Sequence, residues 1–420
     1  MTDALIRSGG PKIPTLDTPR SIEWTPGQAQ LIELILMWYK EFYHRLPIKT
    51  SVTPSWAVHP QWFAYSGAAG CGKTTVVKEV IRQLGIGNDY IGCAYTGKAV
   101  LQLLRNGVNA RTIHKLIYDP VPVYKEDPVT HKKYLTFEFQ LKDRLDRDYE
   151  LIIVDEAPMV NDEIARELLS FGVPIIFIGD MNQLPPVFGK STIMENPDWI
   201  LTQIMRQNES DPIVQLSQMV LKDIPLMEGQ YGKCNVIRRY YPGPQMLTDY
   251  DQILCTTNKM RASVNDFIRQ ELKGYRDSNP RIGDKVICRQ NNWDLEVDGY
   301  YLTNGTSGII TDINRSKLAN GYYLMDFHPD YFPDGVDFER LKVDAKYLRS
   351  NYKDQQNVPR LANEKFEYSY GITVHLSQVS EYDRVLFLDS WFHDAILTKK
   401  ARYTAITRAK EYVDIVLASF

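Results

Sequence analysis

The chain has 420 residues, 44% of them apolar, with 49 Lys and Arg against 52 Asp and Glu for a formal charge of −3. That length implies about two to four domains, and the charge balance argues against a uniformly basic nucleic-acid coat while leaving room for a local groove. The five cysteines form no C-x-x-C pair, which argues against zinc and disulfides and fits a reducing cytoplasm, and no apolar run approaches the ~18 residues of a membrane helix.

Residues 1–20 are rich in Pro, Gly, Thr and Ser and lack an apolar h-region, so they read as a flexible leader rather than a secretory signal. Ser21 to Tyr43 reads as a helix, with Thr25 as N-cap, Pro26 in the first turn and Leu31, Ile32, Leu34, Ile35, Met37 and Trp38 at helical spacing. Gln28 sits in that first turn, and its amide can donate to and accept from the N6/N7 edge of adenine.

The apolar run Trp62 to Tyr65 enters Gly67-Ala68-Ala69-Gly70-Cys71-Gly72-Lys73-Thr74-Thr75, which is G-x-x-x-x-G-K-T, the P-loop. Gly67 and Gly72 allow backbone angles that turn successive N–H groups inward around phosphate oxygens. The following helix adds the positive end of its dipole. The motif puts Lys73 on the β/γ-phosphates and the Thr74 hydroxyl on Mg²⁺. Tyr90 to Tyr95 reads as a buried strand leading into Thr96-Gly97-Lys98-Ala99, a helix start that is a second candidate phosphate site. Arg111-Thr112-Ile113-His114 opens another short helix, and residues 118–148, punctuated by Pro120, Pro122 and Pro128, read as a protruding hairpin.

Leu151 to Glu156 runs four apolar β-formers into two carboxylates at a strand's C-terminal end, where parallel α/β sheets bind ligands. In that setting Asp155 would hold Mg²⁺ and Glu156 would orient and deprotonate an attacking water. Pro174 to Asp180 repeats the strand pattern and runs into Gln183-Leu184-Pro185-Pro186, with Gln183 placed to sense a γ-phosphate. Asp251 to Thr256 and Asn258 to Leu272 read as the strand and helix of a second α/β unit. From Ile282 to about Arg360 the helical period gives way to short strands and turns, the pattern of a small all-β insert. The α/β pattern then resumes, and Arg408 falls just before a last strand, Tyr412 to Leu417, from which it could reach a γ-phosphate across a cleft.

Taken together the set resembles superfamily 1 DNA helicases of the RecD/Dda-like branch, the group that includes the small phage helicase Dda. The motifs follow family order: Thr25 to Gln28, Gly67 to Thr75, Ala94 to Val100, Arg111 to His114, Asp155 to Met159, Gly179 to Val187, Leu201 to Gln207, Thr373 to Glu381 and Tyr403 to Lys410. The resemblance implies an α/β fold with two RecA-like domains, ATP and Mg²⁺ in the cleft between them, and movement 5′→3′ on single-stranded DNA. It implies domain 1A over 21–205 with hairpin insert 1B at 118–148, a strand-splitting pin. Domain 2A would cover 206–282 and 361–420, and a small β-barrel 2B would cover 283–360. Carried over residue by residue, Gln28 reads adenine, and Gly67, Gly70, Cys71, Gly72, Lys73, Thr74 and Thr75 cradle phosphate. Thr74 and Asp155 serve the metal, Glu156 the water, and Gln183 couples γ-phosphate to DNA. Arg206 and Arg408 are the arginine fingers, and Glu381 adds to the nucleotide site. Thr96, Gly97, Thr112, His114, Pro186, Asn258, Thr373, His375 and Ser377 lie along the DNA. Expected partners are single-stranded and forked duplex DNA and replication or recombination proteins, with the chain acting as a monomer away from membranes.

One motif departs from the family pattern H-K-S-Q-G-S-E, reading His375-Leu376-Ser377-Gln378-Val379-Ser380-Glu381. Leu376 removes a cation, and Val379 replaces a glycine although a β-branched residue resists positive φ. Either the turn is built differently or coupling is altered, and the expectation is that Val379 slows turnover. Two other classes fit parts of the sequence: a P-loop ATPase acting as a switch or packaging motor, and a single-strand anchor with weakened turnover.

Overall fold

The computed structural model describes residues 23–44, 61–126, 133–186, 188–203, 210–238, 247–297, 300–330, 336–349, 364–390 and 394–417. The leader, the hairpin tip, Val187 and the finger candidate Arg206 lie outside them. Among the described residues no helix is long and apolar enough to cross a membrane.

The first sheet has six parallel strands in the order Ala110–Thr112, Tyr90–Ala94, Leu151–Asp155, Ile175–Gly179, Trp62–Gly67, Trp199–Leu201. Its strands are near-continuous apolar runs because helices cover both faces. One face buries Leu31, Ile35 and Trp38 of the helix Pro26–His44 together with Val76, Val77 and Val80 of the P-loop helix Lys73–Leu84. The other face packs Ile113, Leu116 and Ile117 with Ile164 and Leu168.

The second sheet has the order Gly371–Thr373, Gln252–Cys255, Tyr382–Leu388, Ala409–Leu417, Cys234–Arg238, Gly229–Tyr231, parallel except for its last pairing. Helices Pro212–Leu221 and Ala395–Ile406 fill one face with Leu216, Ala401 and Ile406. The helix expected over 258–272 runs from Asn258 to Phe267 and relaxes into a wider turn over Ile268–Leu272.

The stretch that loses helical period is an antiparallel five-stranded sheet, ordered Phe338–Asp344, Tyr322–Pro329, Ser307–Asn314, Lys285–Cys288, Phe366–Tyr368. The sheet therefore draws a strand from beyond residue 360, because Val286 pairs with Tyr368. Backbone bonds from Asp344 N to Glu364 O (2.8 Å) and Glu364 N to Lys342 O (2.7 Å) bring its two edges together. The hairpin pairs Tyr118–Glu126 with Lys133–Leu141 in continuous antiparallel register.

Candidate functional site

The P-loop leaves the end of the strand Trp62–Gly67 and turns on Gly70 and Gly72, with φ of 81° and 82°. A Cβ at Gly67 would stand 2.4 Å from Cys71 Sγ, and one at Gly72 2.6 Å from Gln28 Nε2, so either would force its neighbour to shift. The Lys73 ammonium lies inside the loop, donating to Gly67 O (2.7 Å) and Ala68 O (3.1 Å). Gln28 braces the loop from behind. Its amide donates to Cys71 O (3.0 Å) and its Oε1 accepts from Thr25 N (3.2 Å), so both ends of the expected adenine reader are engaged with backbone. Cys71 is buried, and burial pushes its thiol up, which makes it a packing element of the loop.

Asp155 ends its strand and its Oδ1 accepts from Glu156 N (2.9 Å). Glu156 then takes φ 52°, a left-handed conformation that costs about 1–3 kcal/mol for a non-glycine residue. The turn sends the two neighbouring carboxylates into the same cavity. Burial, then the Asp155 charge, pushes Glu156 up to about 7, against the pull of Lys73 and Arg408. Burial also raises Asp155, with Lys73 opposing. Gln183 is 4% exposed, and its Oε1 has no hydrogen-bond partner among the described residues. A buried acceptor left open in this way is costly unless something enters to meet it.

The cavity spans the two parallel sheets and has a volume of about 540 Å³. Lys73, Thr74, Thr75, Asp155, Glu156 and Gln183 form one wall, and Val379, Ser380, Glu381 and Arg408 the other. Arg408 is 3% exposed and held by Thr404 O (3.1 Å, from Nε) and Ser380 O (3.2 Å, from Nη1). Its fellow candidate Arg206 is not among the described residues. Val379 takes φ 68°, a left-handed conformation, and packs its side chain against the cluster of Ala94, Ala99 and Val100 in the first unit.

Further contacts tie the two units together around Gly179 to Pro186. Tyr403 donates to Asp180 Oδ2 (2.7 Å), Leu184 N to Thr404 Oγ1 (3.0 Å), Gln378 Nε2 to Leu184 O (2.9 Å) and Lys400 Nζ to Met181 O (2.8 Å). Leu184 itself is fully buried in the core of the second unit. A loop from one sheet, which carries Gln183, is thus gripped by the other.

The candidate nucleic-acid contacts sit elsewhere on the same strand ends. Thr96, Gly97, Thr112 and His114 follow the two strands at one margin of the first sheet, and Asn258, Thr373, His375 and Ser377 follow the two at one margin of the second. Their hydroxyls already shape the backbone: Thr96 accepts from Ala99 N (3.3 Å), Thr112 from Lys115 N (3.3 Å) and Thr373 from Leu376 N (3.4 Å), while Ser377 donates to Val374 O (2.8 Å). Gly97, Thr112, Thr373 and Ser377 are buried, Thr96, His114 and His375 are half-buried, and Asn258 is exposed. His114 stacks edge-on with Tyr95 and Phe139 at the hairpin's base, and burial lowers both His114 and His375, which favours neutral rings. Pro186 follows the gripped loop and is half-buried.

Part of the cavity carries no signal in the sequence. Thr306, Ser307 and Pro329 of the antiparallel sheet line it, and Lys98 reaches Ser380 across it. Lys98 stood in a recognisable Thr-Gly-Lys helix start, whereas nothing in the local pattern marks Thr306 or Ser307.

Residues 53–189 match the family described as an AAA domain, and residues 368–416 the UvrD-like helicase C-terminal domain. An ATP-dependent RecD2 DNA helicase of Deinococcus radiodurans is 26% identical over 374 residues, covering 82% of this chain and 45% of that protein. A protein of Methanocaldococcus jannaschii is 24% identical over 456 residues, covering 84% of this chain and 36% of that protein. The chain therefore spans less than half the length of these curated relatives. Among solved structures, Bacteroides Pif1 bound to single-stranded DNA matches with a TM-score of 0.52 at 18% identity, over 94% of this chain and 92% of that one. A structure of two coordinating Pif1 helicases at forked double-stranded DNA matches with a TM-score of 0.53 at 19% identity, over the same shares. The structural matches show the fold alone, a mixed α/β architecture. With the family matches and the RecD2 relative, the chain resembles superfamily 1 helicases of the RecD and Pif1 type.

Proposed function

We propose that the chain is an ATP-driven motor that moves along single-stranded DNA, 5′→3′, and unwinds duplex DNA ahead of it. One observation carries this reading: Lys73 and Glu156 from one parallel sheet face Arg408 from another across a single cavity. A nucleotide bound there touches both units, so its hydrolysis changes how they sit on each other. The grip on Gly179 to Pro186 transmits that change, since Gln183 lies in the cavity and Leu184 in the opposite core.

ATP would be the substrate. Gly67 to Thr75 would cradle its phosphates, Lys73 would hold the β/γ-phosphates, and Thr74 and Asp155 would hold Mg²⁺. The glycine turn and a carboxylate and a threonine lining the same cavity suit those groups. The metal would supply charge neutralisation on the phosphates. Glu156, raised by burial, would take a proton from the attacking water, and the open Gln183 Oε1 would help orient that water. Arg408 and the partner finger Arg206 would meet charge developing on the transferred phosphoryl group. Gln28 would read adenine with its second amide hydrogen and second Oε1 lone pair while Cys71 O and Thr25 N fix the side chain on the loop, which would couple base recognition to loop geometry.

The two six-stranded sheets would be domains 1A (21–205) and 2A (206–282 and 361–420), the hairpin would be insert 1B acting as a pin, and the antiparallel sheet would be barrel 2B (283–360), completed by the strand Phe366–Tyr368 from beyond that boundary. The near-closed edges at Lys342, Asp344 and Glu364 support the barrel. Single-stranded DNA would cross the margins marked by Thr96, Thr112, Asn258 and Thr373, contacting backbone phosphates without reading sequence. The chain would act as a monomer in the cytoplasm, with forked DNA as its working substrate.

The test is steady-state ATP hydrolysis with and without single-stranded DNA. Stimulation of at least tenfold is expected. Hydrolysis indifferent to DNA would favour a switch or packaging ATPase, and tight DNA binding without turnover would favour an anchor.

A further inference from the structure

Lys98 stands in the first turn of the helix Gly97–Arg105, on the wall of the cavity that belongs to the first unit. No role in nucleotide chemistry follows from its place in the Thr-Gly-Lys-Ala stretch alone. Its ammonium reaches across the cleft and donates to Ser380 Oγ at 2.5 Å. Ser380 is 2% exposed, and its carbonyl accepts from Arg408 Nη1 at 3.2 Å. The same residue therefore takes a cation from each unit, one on its hydroxyl and one on its carbonyl. The adjoining Val379 packs against Ala99 and Val100, and Ser380 N closes a turn onto Ser377 O (2.9 Å), so residues 377–380 have little freedom to shift independently.

We propose that Lys98 is a positioning residue: by holding Ser380 across the closed cleft, it sets where Arg408 points into the nucleotide site. This rests on the ATPase reading above and extends it to a residue outside the phosphate cradle. The electrostatics give the contact a direction. Lys98 and Arg408 carry like charges in one cavity, with Arg105 adding to the repulsion on Lys98 and Asp330 of the antiparallel sheet offsetting it. Ser380 stands between the two cations, its hydroxyl taking Lys98 and its carbonyl Arg408. When the units separate, Lys98 loses Ser380 and the guanidinium loses one of its two carbonyl anchors as the turn relaxes. The finger is then aimed when the cleft is closed and loosened when it opens.

The experiment compares Lys98→Met, which keeps the stem and removes the donor, with Lys98→Arg, Ser380→Ala and the Lys98→Met/Ser380→Ala double variant, each checked for a native thermal melt. Single-strand-stimulated ATP hydrolysis is measured across ATP concentrations. Lys98→Met and Ser380→Ala should each lower kcat roughly 10- to 100-fold, the range set by one charge-assisted hydrogen bond, with KM moving less than about threefold. The double variant should be no worse than the poorer single variant, because both break the same link. Lys98→Arg should recover most of the lost kcat. Multiplicative losses in the double variant, or a rise in KM with kcat intact, would overturn the proposal in favour of a direct phosphate contact. Ser380→Ala serves as the arbiter if Lys98→Met melts early, and wild-type kcat in that variant refutes the link. A wild-type chain without DNA-stimulated hydrolysis would instead refute the underlying ATPase reading, which separates the two failures.

Discussion

Replacing Val379 with glycine perturbs two opposing terms at one position. The residue holds φ 68°, and its side chain packs across the cleft on Ala94, Ala99 and Val100. Left-handed backbone at a non-glycine residue costs about 1–3 kcal/mol. Full burial of a valine contributes about 1.5–3 kcal/mol, so a half-buried one contributes about 1 kcal/mol. Glycine removes the strain and the contact and adds about 0.5–1 kcal/mol of unfolded-state entropy. These terms nearly cancel for folding, so Tm should move by only a few degrees. They do not cancel for closure. The apolar contact exists only with the two units together, and losing about 1 kcal/mol shifts that equilibrium about fivefold toward the open form. Where reopening and product release limit turnover, kcat rises by the same factor. The assay is steady-state ATP hydrolysis at saturating single-stranded DNA for Val379→Gly and Val379→Ala. Both should turn over about fivefold faster than wild type with a raised KM for ATP, and the alanine variant, which keeps most of the strain, should melt lower. An unchanged kcat in Val379→Gly would refute the reasoning.

Burial and the Asp155 charge raise Glu156 above the ordinary carboxylate range, and it works as a base only when ionised, so kcat/KM for ATP should fall about tenfold per pH unit on the acid side of that raised value and level off above it. A pH profile from 5.5 to 9 checks the sign, and Glu156→Gln should lose about 10²- to 10⁴-fold in kcat and the acid limb with it. Arg408→Ala should lower kcat by about 10³-fold or more while single-strand binding at low salt persists, and near-normal hydrolysis would remove Arg408 from the site. Tyr403→Phe removes a donor from Asp180, which is 1% exposed, at a cost of about 1–3 kcal/mol. It should lower Tm by several degrees and weaken stimulation by DNA more than basal hydrolysis, which paired melting and ATPase measurements would show.

The P-loop and the Asp155-Glu156 pair were legible in the sequence because their chemistry is local: glycine positions, a strand end and a helix start fall within one short window. The helix beginning at Pro26 was legible for the same reason, since Thr25 caps it and Gln28 N finds the Thr25 hydroxyl at 3.2 Å. The turn at Val379 was not. Intrinsic backbone preference argues against positive φ for valine, and the surrounding bonds, Ser377 N on Thr373 O and Ser380 N on Ser377 O, together with its packing on Ala99 and Val100, hold it there. Contributions of Thr306, Ser307 and Pro329 to the cavity depend on how the antiparallel sheet seats on the helix Gly97–Arg105, where Thr303 fills the space beside Gly97 and Leu101 enters the sheet's core. That docking is set by contacts distant in sequence, which periodicity does not encode. The grip of Tyr403 and Thr404 on Asp180 and Leu184 belongs to the same class: each motif reads separately, and their meeting is a property of the closed fold.

The central claim, that hydrolysis in this cavity drives strand separation, is tested most directly by unwinding of forked DNA carrying a 5′ or a 3′ single-stranded tail, with and without ATP. The account predicts ATP-dependent separation of the 5′-tailed substrate and little of the 3′-tailed one, abolished by Glu156→Gln. Hydrolysis stimulated by DNA without separation of either substrate would contradict it.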